Sequence, residues 1–296
     1  MKTCLACQNP FIITDQDRAF YDKISPIFDG QKYQIPEPAL CPPCREQRRL
    51  LWKNERQLYK RSCDLCGKPT MAIYSKDKPY KVYCRECWWG DKWDPLAYGA
   101  EYDFSRPFFD QFSELIARVP KQALHHNQNE NCDYTTSTTG NRNCYLISSS
   151  GKNEDCFYGI FLKGNKDCID STHLLESELC YECLDTKGGY NLKYCQNTYD
   201  CSDSAFLYDC RNCKNCFFSC NLRNKEFVFR GEQLTKEKYE EKIAEINFGS
   251  RVIIEKLKPE FASFCLAYPH LFYTGQNNET VSYCNWIFNS KKGNKE

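Results

Sequence analysis

Long apolar runs, net charge and histidine are all scarce in this chain. No stretch approaches the roughly 20 apolar residues that a membrane-spanning helix needs. The formal net charge of +1 creates no strong overall field, so any attraction to nucleic acid or to a membrane has to be local. With four histidines, no P-loop, no GxGxxG pattern and no Ser/His/Asp order, the sequence favours a protein that is not an enzyme.

Cysteine, in contrast, is abundant, with 22 cysteines in 296 residues. The N-terminal sequence MKTCLACQNPF has no apolar segment of the kind that a secretory signal carries, so we expect a cytoplasmic protein. In a reducing compartment, CxxC pairs are more often metal ligands than disulfides. We therefore expect the cysteines to be reduced and the pairs to bind metal.

Eight cysteines between residues 1 and 87 form four CxxC pairs. A CxxC turn points two thiolates at one metal ion, and two such turns complete a tetrahedral site. Joining neighbouring pairs predicts two zinc sites, with ligands Cys4, Cys7, Cys41 and Cys44 in one and Cys63, Cys66, Cys84 and Cys87 in the other. Four thiolates leave no position for water, so both zinc ions are predicted to be structural. Reduced structural thiols or a redox pair are the alternatives.

The last CxxC of the first site opens a helical pattern, CPPCREQRRLLWKNERQLYKR, as in a treble clef. Segment 45–61 has seven basic and two acidic residues. At about 100° per residue, five basic residues lie within an arc of about 80°: Arg45, Arg49, Lys53, Arg56 and Lys60. This basic helix predicts contact with the phosphates of RNA, of the ribosome or of DNA. A solvated face or a protein contact explains the same charges.

An amphipathic helix is predicted in the linker that follows. Ser105 and Pro107 are suited to its start, and Pro120 to its end. Apolar residues recur at helical spacing: Phe108, Phe109, Phe112, Leu115, Ile116 and Val119. We expect this face to pack between the zinc modules and the next domain.

A twelve-residue repeat occupies the middle of the chain, with segments such as NRNCYLISSSGK and NEDCFYGIFLKG aligned on cysteine. Five cysteines are spaced twelve apart: Cys132, Cys144, Cys156, Cys168 and Cys180. Such periodicity indicates a solenoid, and the composition favours strands and turns, so we expect a stack resembling a parallel β-helix. The repeated asparagines would take the left-handed corner conformation, with cysteine filling the inside.

Two properties of this array stay open from sequence alone. One coil contains either one or two twelve-residue segments. The thiols are buried packing groups, disulfides or metal ligands, the last chiefly at 180–183 and 210–216. Residues 132–224 carry nine basic and twelve acidic residues, which favours a protein contact over a phosphate contact.

The sequence thus predicts a mainly β chain with some helix, divided into six segments. They are a treble-clef-like zinc module at 1–62, a zinc ribbon at 63–95, a helical linker at 96–128, a cysteine-rich β-solenoid at 129–228, a helical segment at 229–264 that Thr235 caps, and a tail at 265–296. In the tail, Cys284 and FNSKK resemble the start of a second array.

Several segments resemble an uncharacterised family of candidate-phyla (Patescibacteria-type) bacteria. They are LCPPCREQRRLLWKNERQLYKR, VYCRECWWGDKWDPLAYG, YDFSRPFFDQF, NLRNKEFVF and LTKEKYEEKIAEINFGS. The resemblance implies N-terminal zinc ribbons followed by cysteine-rich repeats, and it implies no established activity. Some members carry a CaiB/BaiF CoA-transferase label, but these residues provide no catalytic carboxylate context for it.

Three functional hypotheses follow. The first is a non-enzymatic zinc protein that contacts nucleic acid through the basic helix and a protein partner through the solenoid. The second is a purely structural adaptor that docks a protein partner. The third is a metal- or redox-active enzyme that uses the solenoid cysteines. No membrane partner is expected.

Overall fold

The computed structural model describes residues 1–51, 54, 57–279 and 287–291. Predictions for Lys53, Arg56 and Cys284 therefore lie outside the described residues. The chain divides into two compact units, Met1–Gln57 and Leu58–Glu296. In the described part of both units, every helix is too short or too polar to cross a membrane.

The first unit is built from short hairpins and two helices. Its elements are β1 (Lys2–Thr3), β2 (Pro10–Phe11), α1 (Asp15–Ile24), β3 (Ile27–Phe28), β4 (Gln31–Lys32) and α2 (Pro42–Leu50). A capping box begins α1, because the side chains of Thr14 and Asp17 each accept a hydrogen bond from the other residue's backbone N–H. Proline in the first turn of α2 follows Cys41, which caps that helix.

The second unit begins with a small module of similar design. Its elements are β5 (Tyr59–Ser62), β6 (Pro69–Ala72), β7 (Val82–Tyr83), α3 (Arg85–Trp89), a 3-10 turn (Pro95–Tyr98), α4 (Phe108–Arg118) and β8 (Lys121–Gln122). Strands β5 and β6 form a hairpin, while β8 returns to pair with β7 in parallel. The chain is thus held at β8 just before the repeat begins.

The linker helix exists, but two predictions about it are wrong. Pro107, not Ser105, precedes α4, since both the N–H and the hydroxyl of Ser105 donate to the Asp103 carboxylate. Within the described part of the second unit the predicted packing is not found, because α4 buries none of its residues and Phe108, Phe109 and Phe112 are exposed.

A β-solenoid occupies residues 126–229, as the repeat predicts. Its strands are β9 (His126–Asn127), β10 (Thr136–Thr139), β11 (Ser148–Gly151), β12 (Ile160–Lys163), β13 (Thr172–Leu175), β14 (Leu184–Lys187), β15 (Tyr190–Lys193), β16 (Ser202–Tyr208), β17 (Lys214–Cys220) and β18 (Glu226–Phe229). Strands β9 to β14 form one parallel sheet and β15 to β18 another, and within each sheet a residue meets the one twelve positions later, as Thr136 meets Ser148. One twelve-residue segment therefore makes one coil.

Each coil is built from four triplets. From Asn131 to Arg230, every third residue has a positive φ of about 46–67°, which turns the chain at a corner. The residue after each corner points inward, and most of these residues are buried, including Cys144, Ile147 and Ser150. A coil therefore has four sides and four inward side chains.

The repeated asparagines are stacked, but their predicted left-handed conformation is wrong. The corner is made by the residue before cysteine, such as Asn143 or Asp155. Asn141 and Asn153 instead point inward and are buried. Their amides suit that position because they bond to the backbone of neighbouring coils. The predicted burial is confirmed for every cysteine from Cys144 to Cys220, whereas Cys132 in the first coil is partly buried.

A large aliphatic residue inside a coil is accompanied by smaller ones, because four inward side chains share a narrow cross-section. A Cβ atom added to Gly159 would lie 2.5 Å from Cδ1 of Leu162, and one added to Gly189 would lie 2.7 Å from Cδ1 of Leu192. Each glycine therefore makes room for the leucine of the same coil.

Two helices follow the solenoid. The remaining elements are β19 (Glu232–Gln233), α5 (Lys236–Ala244), α6 (Arg251–Cys265), β20 (Gly275–Gln276) and β21 (Ile287–Phe288). The Thr235 hydroxyl accepts from the N–H of Lys238, so the predicted cap of α5 is confirmed. Strands β20 and β21 pair in parallel with the same twelve-residue offset, which repeats the solenoid register near the C-terminus.

Candidate functional site

The first cysteine group joins a hairpin turn to a helix N-terminus. Cys4 and Cys7 lie in the turn between β1 and β2, where the next residue, Gln8, has a φ of 60°. Cys41 caps α2 and Cys44 lies in its first turn. The four Sγ atoms all lie within 4.8 Å of one another, and those of Cys7 and Cys41 are 3.6 Å apart.

The second group repeats this construction. Cys63 and Cys66 lie in the β5–β6 turn, and Gly67 takes the left-handed position that Gln8 takes in the first group. Cys84 caps α3, and Cys87 lies within that helix. These four Sγ atoms also lie within 4.8 Å of one another. The structure thus assembles the two sets of four that the spacing predicts.

Backbone N–H groups lower the pKa of one thiol in each group and so favour its thiolate form. The N–H of Cys41 donates to Cys4 Sγ, and the N–H of Cys84 donates to Cys63 Sγ, each at 3.3 Å. Such donors at Cys7 and Cys41 lower the pKa of Cys4 to about 6. For Cys63, burial raises the pKa, but N–H donors including that of Cys84 outweigh it and lower the pKa to about 6.

Both groups fit a tetrahedral ion bound by four thiolates. With metal–sulfur bonds of about 2.3 Å, tetrahedral geometry places the sulfurs about 3.8 Å apart. The Sγ atoms of Cys66 and Cys84 are 3.8 Å apart. Each group can therefore hold a metal ion, and a complete set of four leaves that ion no open position.

The prediction of one continuous basic helix over 45–61 is wrong. Helix α2 ends at Leu50, and Lys60 lies in β5 of the other unit, so Lys60 does not share a helix face with Arg45 and Arg49. Arg45 is partly buried and donates to the Tyr21 hydroxyl. Arg48 and Arg49 are exposed in the last turn of α2.

The cysteines of the repeat fill the inside of the coils. Cys156, Cys180 and Cys210 are fully buried, and all the described cysteines are free thiols. The neighbouring thiols Cys144 and Cys168, together with burial, raise the pKa of Cys156. Among the described residues, only the two N-terminal sets bring three or more potential ligands together, so the metal site considered at 210–216 is not formed.

A period of three, which the twelve-residue repeat does not reveal by itself, explains the irregular cysteine spacing. Every cysteine from Cys132 to Cys216 is separated from the next by a multiple of three residues. In this part of the chain, CxxC spacing therefore places two thiols on adjacent sides of one coil. Cys220 breaks the period and points outward, where its Sγ lies 3.2 Å from that of Cys265 in α6.

A polar groove of about 630 Å³ lies on the outside of the second unit. It is lined by His173, Leu175, Asp185, Thr186, Lys187, Tyr199, Asp200, Arg211, Asn212, Asn277 and Asn289. His173 Nδ1 is 3.4 Å from Asp185 Oδ1, and the Arg211 guanidinium lies over the Tyr199 ring. Burial raises the pKa of Asp185, which His173 partly opposes. Charges of both signs line the groove, so it selects no single class of ion.

Comparison with known proteins gives no relative: no family model matches the chain, and no curated protein matches its sequence.

Proposed function

We propose that the protein is a non-enzymatic scaffold in which two zinc ions fix the N-terminal modules and the solenoid presents a protein-binding surface. The observation that carries this proposal is the use of the cysteines. Eight cysteines complete two sets of four ligands, and the solenoid cysteines from Cys144 to Cys216 are buried packing groups. Chemistry at a metal ion needs an open coordination position, and thiol chemistry needs access for a substrate.

Zinc is the metal we propose, because four thiolates in a tetrahedral set are the usual ligands of structural zinc sites. X-ray absorption at the zinc edge of the reduced protein tests this directly. We expect a shell of four sulfur atoms at about 2.3 Å. A nitrogen or oxygen ligand in the shell would mean an open site and would overturn the structural role.

Matched variants assign the sites. Cys66→Ser should lower the zinc content by about one ion, because three thiolates hold the metal much less well. Cys156→Ala, in the solenoid, should leave the zinc content unchanged. Zinc loss in the Cys156 variant would show instead that the repeat binds metal.

Nucleic-acid contact by α2 is a second candidate, supported by Arg48 and Arg49, which are adjacent and exposed. Arg48→Glu with Arg49→Glu should abolish RNA or DNA binding, whose affinity in the native chain should fall steeply with salt. Lys60→Glu is the control, because it changes an exposed charge in β5. Equal nucleic-acid binding by the native chain, the double variant and the control would exclude contact through α2.

A further inference from the structure

Helix α4 presents a large apolar face that the described part of its own unit leaves uncovered. Phe109 is 76% exposed, and Phe108 and Phe112 are also exposed. The rings of Phe108 and Phe112 stack with their centres 5.4 Å apart, so the face is continuous along the helix. An exposed aromatic surface of this kind typically marks a protein contact.

The solenoid carries a second apolar surface, here called the aromatic row. It consists of the corner residues on one edge of the coils, twelve apart: Tyr134, Leu146, Tyr158, Asp170, Glu182, Tyr194, Phe206 and Phe218. The first three form its exposed half, and Tyr158 is 55% exposed. Tyr145 bridges this half, with its ring 5.5 Å from that of Tyr134 and 5.6 Å from that of Tyr158.

The other half of the row is covered by a helix of the same chain. Phe261 of α6 packs against Phe206 and Phe218, with ring centres 5.6 and 5.0 Å away. Lys258 of α6 bonds to Glu182 at 2.7 Å, so this contact reaches the acidic residues that divide the row. The fold thus shows how a helix binds this edge of the solenoid.

Helix α4 resembles α6 in the spacing of its apolar residues. In α6, the residues packed in the core that includes Phe206 and Phe218 are three and four apart: Ile254, Leu257, Phe261 and Phe264. In α4, the corresponding residues are four and three apart: Phe108, Phe112, Leu115 and Val119. Both helices therefore present one phenylalanine-containing stripe.

We propose that α4 of one copy of this chain packs on the exposed half of the aromatic row of a second copy. Within its own chain α4 is exposed, and its C-terminal end is held by the Lys121 ammonium, which donates to the Ile116 carbonyl, and by pairing of β8 with β7. The inference rests on the proposed scaffold function, in that it names a second copy as the partner of the solenoid.

The size of the contact suits a stable dimer. A large aromatic side chain buries roughly 150–250 Å² when it is covered. Phe108 and Phe112 are 52% and 43% exposed, so about half of that area is left to bury. The three phenylalanines and the exposed half of the row, counted in two symmetric contacts, come to the lower end of the roughly 1,200–2,000 Å² of specific interfaces. Because each copy supplies one helix and one row, the arrangement closes as a twofold dimer.

Sedimentation of the full zinc-loaded chain tests the proposal. We expect a species of about twice the 34.8 kDa chain mass. Phe112→Glu should weaken dimerisation at least about tenfold, as should Tyr158→Glu. Glutamate is compatible with that corner, since Glu182 has the same left-handed conformation. Ala117→Glu is the matched control in α4, because it adds the same charge outside the apolar stripe.

Mixing the two variants identifies the partners. The Phe112 variant retains an intact aromatic row, and the Tyr158 variant retains an intact α4. An undamaged contact between helix and row can therefore form only when one variant binds the other. We expect a heterodimer from the mixture and monomers from each variant alone. Dimers of the Tyr158 variant alone would show that α4 binds elsewhere, and a monomeric native chain would overturn the proposal. If the native chain is monomeric and its zinc ions have four sulfur ligands, the dimer is excluded but the proposed scaffold function is retained.

Discussion

The Oδ1 atom of Asn141 accepts two hydrogen bonds from Asn153, one from its backbone N–H and one from its Nδ2 atom, each 2.9 Å long. The Nδ2 atom of Asn153 also donates to the Leu162 carbonyl at 3.0 Å. Asn165 bonds to Asn153 in the same way, so buried amides connect successive coils. The Asn153 side chain thus satisfies the Leu162 carbonyl and the backbone N–H of Asn165 in the next coil.

Asn153→Ala should therefore lower the free energy of unfolding by about 2–4 kcal/mol, because it leaves buried polar groups of two coils without partners. Denaturant unfolding followed by circular dichroism measures this loss. Lys166→Ala, which changes an exposed residue next to the ladder, should cost less than about 0.5 kcal/mol. Equal losses in both variants would contradict a structural role for the ladder.

The pairing of Gly159 with Leu162 predicts coupled effects on stability. Gly159→Ala overpacks the coil at a cost of about 1–3 kcal/mol, and Leu162→Ala opens a cavity at a cost of about 2–5 kcal/mol. In the double variant the new methyl group enters the cavity, so the total loss should be less than the sum. Additive losses in a double-mutant cycle would show that the two sites do not share one space.

Metal removal should affect the zinc modules and spare the solenoid. Trp88 and Trp93 pack beside Cys63 and Cys87. In the solenoid core, the described cysteines do not form a group of three or more ligands that could hold one ion. A chelator under reducing conditions should therefore shift tryptophan emission to the red, while far-UV circular dichroism keeps its β signal. Added zinc should reverse the shift. Unchanged emission after complete metal loss would contradict this assignment.

The buried carboxyl group of Asp185 predicts a pH-dependent stability difference. Burial raises its pKa above the unfolded value, so the ionised form is disfavoured in the fold and stability is lost as pH rises through the folded pKa. Asp185→Asn should therefore be more stable than the native chain at neutral pH. Its advantage should vanish at a pH below the ordinary aspartate pKa of 3.8. Melting temperatures across this range measure the difference, and a constant difference would contradict the cause.

The sequence predicts both cysteine sets and the solenoid because each rests on local spacing. The predicted asparagine conformation is wrong, because asparagine suits both a left-handed corner and a buried amide ladder, and only the coil geometry distinguishes them. A period of three in the spacing from Cys132 to Cys216 could have revealed the four-sided coil. The exposure of α4 could not be predicted, since an amphipathic pattern does not say whether the apolar face has a partner.

The division of the cysteines between metal binding and packing is the central claim. Mass spectrometry of the reduced protein, with zinc counted under native conditions and thiols alkylated in the native fold before and after chelation, tests it most directly. The account predicts two zinc ions, and eight of the 22 cysteines that react only after chelation. A third metal ion, or a solenoid cysteine that reacts only after chelation, would contradict it.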